Sequence, residues 1–307
     1  MALPIFSPVN DPGPDFAALL RGIRPSSSNG GDDVGTAGLD AGAITRGLTD
    51  PVIPAAGGFP VYPSLDPARS FDEHMRHGTT VLALRYPDGV VVAGDRRATE
   101  GHLVAYRTMD KVLRVDDYSA VAIAGTAGPA IEMVRLFSTQ LEHYEKVEGV
   151  TLSIEGKANQ LSQMVRDHLA MAMRGMVVVP LFAGYDTLSG SGQIYTFDVT
   201  GGHYIEDEYA AEGSGSRFAK SVLKAGWRAD ITKAEALDLA IEAIVDAADE
   251  DIATGAPDTL RGIYPTVATV TQSGYQAVGD DEIASRVSAL YDKLRSRSEY
   301  RAGRSSR

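Results

Sequence analysis

The chain has 307 residues, of which 44% are hydrophobic and 23% charged, a balance typical of a globular protein with a buried core. Its formal net charge is -12, which argues against nonspecific nucleic-acid binding because that activity needs a basic surface. There is no cysteine, which excludes a thiol nucleophile, a disulfide and a thiolate metal site, and no apolar run approaches the ~20 residues that span a membrane.

Residues 1–78 are rich in glycine, proline, serine and aspartate and lack the periodicity of a folded domain. The run at 26–33 is typical of a linker, and residues 16–21 predict one short helix. The extreme N-terminus lacks the basic and apolar regions of a secretory signal. Composition alone leaves two interpretations open, a tail without a role or a segment that is later removed.

The junction between Gly78 and Thr79 opens the first strongly strand-like sequence. From there the pattern predicts two hairpins, one at 79–95 with its turn at 86–89 and one at 112–124. Two helices follow, because apolar residues recur at helical spacing and a proline stands where a first turn is expected. Their expected bounds are about 129–144 and 153–174.

The second half of the chain repeats this order of strands followed by two helices. Three strands are expected at 177–185, 192–198 and 204–213, followed by helices at about 216–224 and 232–251. The second helix is predicted to start with a capping box. A strand at 263–270, a turn at Gly274 and a charged helix and tail complete the chain. This order predicts an α+β fold of stacked antiparallel sheets covered by helices, whereas a doubly wound parallel sheet would alternate strictly.

Thr79 is a candidate nucleophile because of its position at the junction. An internal threonine hydroxyl has no obvious base beside it in the sequence. If the bond to Gly78 is cut, Thr79 gains an α-amino group with a pKa of about 8, which can take the hydroxyl proton at neutral pH. The alternative is an ordinary strand threonine, which is common in sheets.

Three further residues could support this nucleophile. Asp95 ends the second strand, and the hairpin brings it near Thr79, although an aspartate after a glycine is more commonly a turn residue. Lys111, as an isolated lysine, would ordinarily be solvated, but between Asp95 and the hydroxyl it would lower the pKa of that hydroxyl. Gly125 ends a strand and could either donate its N–H to an oxyanion or form a simple turn.

Other motifs favour structural roles. The Gly/Ser corner at 213–216 lacks the Lys-Ser/Thr ending of a P-loop and is typical of a helix cap. The acidic residues Asp246, Asp249, Glu250 and Asp251 are more typical of a solvated helix face than of a metal site. The sequence has no H-E-x-x-H pair and no G-x-S-x-G elbow. We therefore expect neither a metal nor a cofactor.

Together these motifs resemble a proteasome β-subunit of the actinobacterial 20S type, over residues 77–278. The motifs that carry the resemblance stand in one order: Gly78-Thr79-Thr80-Val81, Gly94-Asp95-Arg96-Arg97-Ala98-Thr99, Lys111, Ala124-Gly125-Thr126-Ala127, Gly213-Ser214-Gly215-Ser216 and Asp251-Ile252-Ala253-Thr254-Gly255. The resemblance implies a four-layer αββα sandwich of the N-terminal-nucleophile (Ntn) hydrolase type. It also implies a propeptide at 1–78 that is removed autocatalytically, a catalytic domain at 79–280, and a charged C-terminal helix and tail at 281–307.

The resemblance further implies a threonine endopeptidase site with Thr79 as nucleophile after cleavage of the Gly78–Thr79 bond. Lys111 and Asp95 would activate it, and Gly125 would donate to the oxyanion. A network near the α-amino group would contain Ser214, Asp251 and Thr254; the family usually has serine at the last of these positions, and the hydroxyl is kept. An apolar pocket for the side chain before the scissile bond would be lined by Ala98, Thr99, Met109, Ile123 and Ala127.

Family membership would also imply heptameric rings of identical β-subunits between α rings (α7β7β7α7) in the cytoplasm. A ring-shaped AAA ATPase would dock on the α rings, and substrates would be proteins tagged by a ubiquitin-like modifier, with no nucleic acid or membrane partner. One alternative is the two-ring bacterial threonine peptidase HslV, which has a glycine where Arg96 stands and no long prosegment. The others are an inactive ring-scaffold or α-type subunit and an Ntn amidohydrolase that acts on a small molecule.

Overall fold

The computed structural model describes residues 78–100 and 103–305, with side chains described as far as residue 296. The short helix expected at 16–21 and almost all of the expected propeptide lie outside the described residues. Within these ranges, no helix is both long enough and apolar enough to cross a membrane.

One five-stranded sheet contains the strand that begins directly after Thr79. Its strands are β1 (Thr80–Tyr86), β2 (Gly89–Gly94), β10 (Tyr209–Gly213), β11 (Thr266–Thr271) and β12 (Gly274–Ala277). All neighbours are antiparallel, and the spatial order is β10-β1-β2-β11-β12. β1 therefore has a partner on each side.

A second five-stranded antiparallel sheet stacks on the first. Its strands, which lie in the sheet in chain order, are β5 (Val112–Asp116), β6 (Ser119–Gly125), β7 (Val178–Asp186), β8 (Ser191–Phe197) and β9 (His203–Glu206). A separate hairpin of β3 (Ala98–Glu100) and β4 (Leu103–Tyr106) belongs to neither large sheet. The sequence analysis did not predict this hairpin.

Helices cover the outer face of each sheet. Those over the second sheet are α1 (Ala127–Glu148), α2 (Ile154–Asp167) and the single turn α3 (Leu169–Ala172); those over the first are α4 (Ser216–Gly226), α5 (Lys233–Glu250) and α6 (Asp280–Ser305). Leu82 and Leu84 of β1 pack against the helical layer, whereas Val81 and Ala83 pack against the other sheet. Both faces of β1 are buried, which accounts for the continuous apolar run at 81–84. The predicted four-layer αββα sandwich is confirmed.

Two predicted elements were wrong in extent. The single strand expected at 204–213 is divided at Asp207 and Glu208, so that β9 pairs in one sheet and β10 in the other. Asp207 and Glu208 are of residue types depleted in strands, and the partner strands decide which sheet each half joins. The helix expected at 153–174 ends at Asp167, where the ring of His168 makes a hydrogen bond with the carbonyl oxygen of Met176 at 2.8 Å. The predicted capping box at Thr232 and Glu235 is confirmed.

The two sheets approach each other closely at Gly192 of β8. A β-carbon at this position would lie 2.6 Å from the backbone carbonyl of Gly89 in β2. We predict that Gly192→Ala lowers the free energy of unfolding by about 1–3 kcal/mol, because overpacking forces the layers apart. The measurement is chemical denaturation of the full chain.

The matched control is Gly128→Ala, at the start of α1, where an added β-carbon would meet nothing within 4 Å. Alanine has the higher helix propensity, so this variant should be neutral or slightly more stable. Equal losses in both variants would contradict the tight approach of the sheets at Gly192.

Candidate active site

Strand register brings two chain segments to opposite sides of Thr79. Thr80 pairs with Gly213 of β10, and Val81 pairs with Gly94 of β2. The residues that follow these two glycines, Ser214 and Asp95, therefore leave their strands beside Thr79. Thr79 itself is only 4% exposed.

A buried ion pair lies on the β2 side. Lys111 Nζ is 2.6 Å from Asp95 Oδ1, and the two residues are 1% and 0% exposed. Asp95 Oδ1 also accepts the N–H of Thr80, and Oδ2 accepts the N–H groups of Arg97 and Gly255, each at 2.9 Å. Three backbone donors and one ammonium thus compensate the carboxylate, as a buried charge requires.

Burial lowers the pKa of Lys111 below its ordinary value because the ammonium has lost its hydration. The negative charges of Asp95 and Asp251 oppose this shift, and the positive charge of Arg97 adds to it. Lys111 therefore releases a proton more readily than an exposed lysine does, while remaining hydrogen-bonded to Asp95.

The hydroxyl of Thr79 and the ammonium of Lys111 converge on one carbonyl. Thr79 Oγ1 donates to the oxygen of Gly78 at 2.7 Å, and Lys111 Nζ donates to the same oxygen at 3.3 Å. This carbonyl belongs to the peptide bond that precedes Thr79. The arrangement places a hydroxyl and a cation against the bond whose cleavage would make Thr79 N-terminal.

A second polar network lies on the β10 side. The N–H of Thr79 donates to Ser214 Oγ at 3.3 Å, and Ser214 Oγ donates to Asp251 Oδ2 at 2.5 Å. Thr254 Oγ1 donates to the same carboxylate oxygen at 2.6 Å and is 2.7 Å from Thr80 Oγ1. The backbone nitrogen of Thr79 is therefore connected to a carboxylate through a serine hydroxyl. The sequence analysis did not assign Thr80 to this network.

A small pocket opens beside Thr79. Its lining includes all five residues expected there, which are Ala98, Thr99, Met109, Ile123 and Ala127, and it also includes Gly125. Ala98 and Thr99 come from the unpredicted β3–β4 hairpin. Gly125 has a φ of +101°, and a β-carbon there would lie 2.2 Å from the oxygen of Val177, so the position requires glycine.

Gly78 is confined on its other side by Ala253. A β-carbon built on Gly78 would lie 1.7 Å from the β-carbon of Ala253. The sequence offered no signal for this contact, because the two residues are far apart in the chain and alanine has no chemical function. Within the described residues, no group of three or more histidine, aspartate or glutamate side chains could hold a metal ion.

Comparison with known proteins gives concordant matches. A family model described as proteasome subunit matches residues 75–260. A proteasome subunit beta from Acidimicrobium ferrooxidans is 48% identical over 297 residues, which cover 97% of this chain and 96% of that protein. A protein of the same name from Streptomyces griseus is 53% identical over 71% of this chain and 77% of its own length. Another from Frankia alni is 52% identical over 70% of this chain and 78% of its own length.

We predict that Asp95→Asn destabilises the full chain by about 3–5 kcal/mol, because it leaves the Lys111 ammonium buried without a counterion. Loss of the carboxylate should lower the pKa of Lys111 further. At pH values between the lowered pKa of Lys111 in the folded state and its pKa of about 10.4 in the unfolded state, the folded chain then binds fewer protons than the unfolded chain. The free energy of unfolding should therefore rise with pH more steeply in the variant than in the parent chain.

Chemical denaturation at pH 7 and pH 9 tests this prediction. The control is Glu142→Gln, which removes the exposed partner of Lys146 and should leave the unfolding transition where it was. An Asp95→Asn chain that loses stability on going from pH 7 to pH 9 would contradict the lowered pKa of Lys111.

Proposed function

Because the chain belongs to the proteasome β-subunit family, the catalytic, threonine-endopeptidase component of the 20S core particle, we propose that Thr79 is its nucleophile and that residues 1–78 are a propeptide. One observation carries this proposal most directly. Thr79 Oγ1 lies 2.7 Å from the carbonyl oxygen of Gly78, with the Lys111 ammonium at 3.3 Å from the same oxygen. The matches to proteasome β-subunits leave no support for HslV or for a small-molecule amidohydrolase.

Maturation begins with attack of the Thr79 hydroxyl on the Gly78 carbonyl carbon. The C–N bond breaks, the amide nitrogen of Thr79 becomes an amine, and Gly78 is carried as an ester on Oγ1. Water then hydrolyses the ester, which releases the propeptide and regenerates the hydroxyl. The Lys111 ammonium stabilises the oxyanion that forms on the Gly78 oxygen, and Asp95 holds that ammonium in place.

Peptide hydrolysis repeats the same chemistry on a substrate. The freed α-amino group of Thr79, beside Ser214 Oγ, takes the hydroxyl proton and returns it to the leaving amine. Asp251 and Thr254 hold Ser214 in position. The N–H of Gly125 donates to the oxyanion of each tetrahedral intermediate. The apolar side chains of the pocket favour an apolar residue before the scissile bond.

The domain limits and finer partners are part of the same proposal. We assign the catalytic domain to 79–280 and the charged helix and tail to 281–307. The family match over residues 75–260 and the start of α6 at Asp280 support this division. Proteasome β-subunits assemble with α-subunits into the 20S core, and we propose α7β7β7α7 rings in the cytoplasm. An AAA ATPase would dock on the α rings and deliver tagged proteins.

The nucleophile is tested by Thr79→Ala and Thr79→Ser. The alanine chain should keep its full length and show no peptide hydrolysis, because it lacks the attacking oxygen. The serine chain keeps that oxygen and should be processed, at a reduced rate. Intact-mass spectrometry and turnover of a fluorogenic peptide are the measurements. Trimming at residue 78 in the alanine variant would refute the self-cleavage mechanism.

The packing of Gly78 against Ala253 gives a separate test of maturation. Gly78→Ala should slow processing at least tenfold, because the added methyl displaces the scissile carbonyl from Thr79 Oγ1. Adding Ala253→Gly should restore much of the rate, since it removes the carbon that the methyl would meet.

Processed enzyme from the Gly78→Ala chain is identical in sequence to processed parent enzyme, so its kcat and KM should be unchanged. The Ala253→Gly chain with Gly78 intact is the control for the second substitution. Normal processing kinetics in Gly78→Ala would contradict the proposed contact.

A further inference from the structure

Three arginines surround a pocket next to the active site that the proposed mechanism does not use. Arg96, Arg97 and Arg107 line this small pocket together with Gly255 and Tyr264. The chain as a whole carries a net charge of -12, so a concentration of guanidinium groups at one place is unexpected on composition. Such a pocket is suited to an anion.

The nearby carboxylates do not neutralise all of these arginines. Asp110 pairs with Arg96 at 2.9 Å, and Asp258, which also lines the pocket, pairs with Arg261 at 2.6 Å. Among the described residues, the guanidinium of Arg97 donates only to the backbone oxygen of Ile252, and that of Arg107 has no polar partner.

One donor in this group is also buried without an acceptor. The Nε of Arg96 has no hydrogen-bond partner among the described residues, although its Nη2 donates to Asp110 and to the oxygen of Thr108. A buried N–H without an acceptor is costly. An incoming anion would add negative charge where two guanidinium groups have no carboxylate partner.

In the proposed mechanism the leaving group departs on the side of the Thr79 nitrogen, and a series of contacts links that nitrogen to the pocket. The nitrogen of Thr79, which becomes the proton donor to the leaving amine, contacts Ser214 Oγ, and Ser214 contacts Asp251. The loop that follows Asp251 runs directly to the arginines, since a β-carbon at Gly255 would lie 2.8 Å from the β-carbon of Arg97. The positive charge of Arg97 also reaches Lys111, whose pKa it lowers in addition to the larger effect of burial.

Short contacts limit the distance between the scissile bond and the pocket. A β-carbon on Gly78 would lie 2.5 Å from the Cα of Ala253, and Arg97 Nη1 is 2.9 Å from the oxygen of Ile252, in the peptide group just before Ala253. When the two contacts are added across the peptide group between Ile252 and Ala253, the guanidinium of Arg97 lies within about 10 Å of Gly78. Two to four extended residues span about 7–13 Å.

We propose that the pocket of Arg96, Arg97 and Arg107 binds the carboxylate side chain of a peptide substrate, two to four residues after the scissile bond. This inference rests on the proposed role of Thr79. A glutamate or aspartate at that position receives charge-assisted hydrogen bonds from Arg97 and Arg107. The enzyme then prefers an acidic residue after the scissile bond, in addition to the apolar residue that it prefers before that bond.

The test uses internally quenched peptides with leucine before the scissile bond and glutamate or glutamine at the second, third or fourth position after it. Mass spectrometry of the products identifies the bond that is cut. With processed, assembled enzyme we expect kcat/KM to be roughly fivefold higher for glutamate than for glutamine at one of these positions, and the ratio should fall as salt is added.

The variant Arg107→Gln should reduce this ratio to about one, chiefly by lowering kcat/KM for the glutamate peptide, which loses the charge-assisted hydrogen bond. Arg135→Gln, an exposed arginine on α1, is the matched control and should keep the parent ratio. A ratio near one in the parent enzyme at all three positions, or an undiminished ratio in Arg107→Gln, would overturn the proposal. If Thr79 is not the nucleophile, the Thr79→Ala chain will still hydrolyse both peptides. That result separates failure of the proposed function from failure of this inference.

Discussion

The buried ion pair of Lys111 and Asp95 is the interaction on which the rest of the site depends. The carboxylate of Asp95 accepts N–H groups from Thr80, Arg97 and Gly255, which belong to three separate parts of the chain. One side chain therefore fixes the start of β1, the segment after β2 and the loop after α5 relative to each other. Because both charges have left water, the pair tolerates little displacement, and this rigidity holds the ammonium against the carbonyl of Gly78.

The position of β1 between β10 and β2 separates the polar groups around Thr79 into two sets. The Lys111 side contacts the carbonyl of residue 78, while the Ser214 side contacts the nitrogen of residue 79. In the proposed mechanism one set stabilises charge on oxygen and the other handles protons on nitrogen. Thr79 contacts both sets in the structure, and in the proposed mechanism it uses them first on its own chain and then on a substrate.

Close packing around the bond between Gly78 and Thr79 restricts which residue types fit at positions that have no catalytic side chain. Gly78 has no room for a methyl group because of Ala253, and Gly125 combines a positive φ with a close approach to Val177. The same loop that confines Gly78 continues to Gly255, which packs against Arg97. The proposed maturation, the proposed catalysis and the proposed recognition of an acidic substrate residue thus share one short segment at the C-terminal end of α5.

The sequence by itself determined the strand-like start at Thr79, the layered α+β order and the motifs that resemble the proteasome β-subunit, because local periodicity and short motifs are encoded by neighbouring residues. It did not determine that residues 204–213 divide between two sheets, that Ala253 packs on Gly78, or that Arg107 joins Arg96 and Arg97 in one pocket. Those features depend on contacts between residues distant in the chain. Strand register and layer packing create such contacts only once the whole domain has folded, so the tertiary structure alone decided them.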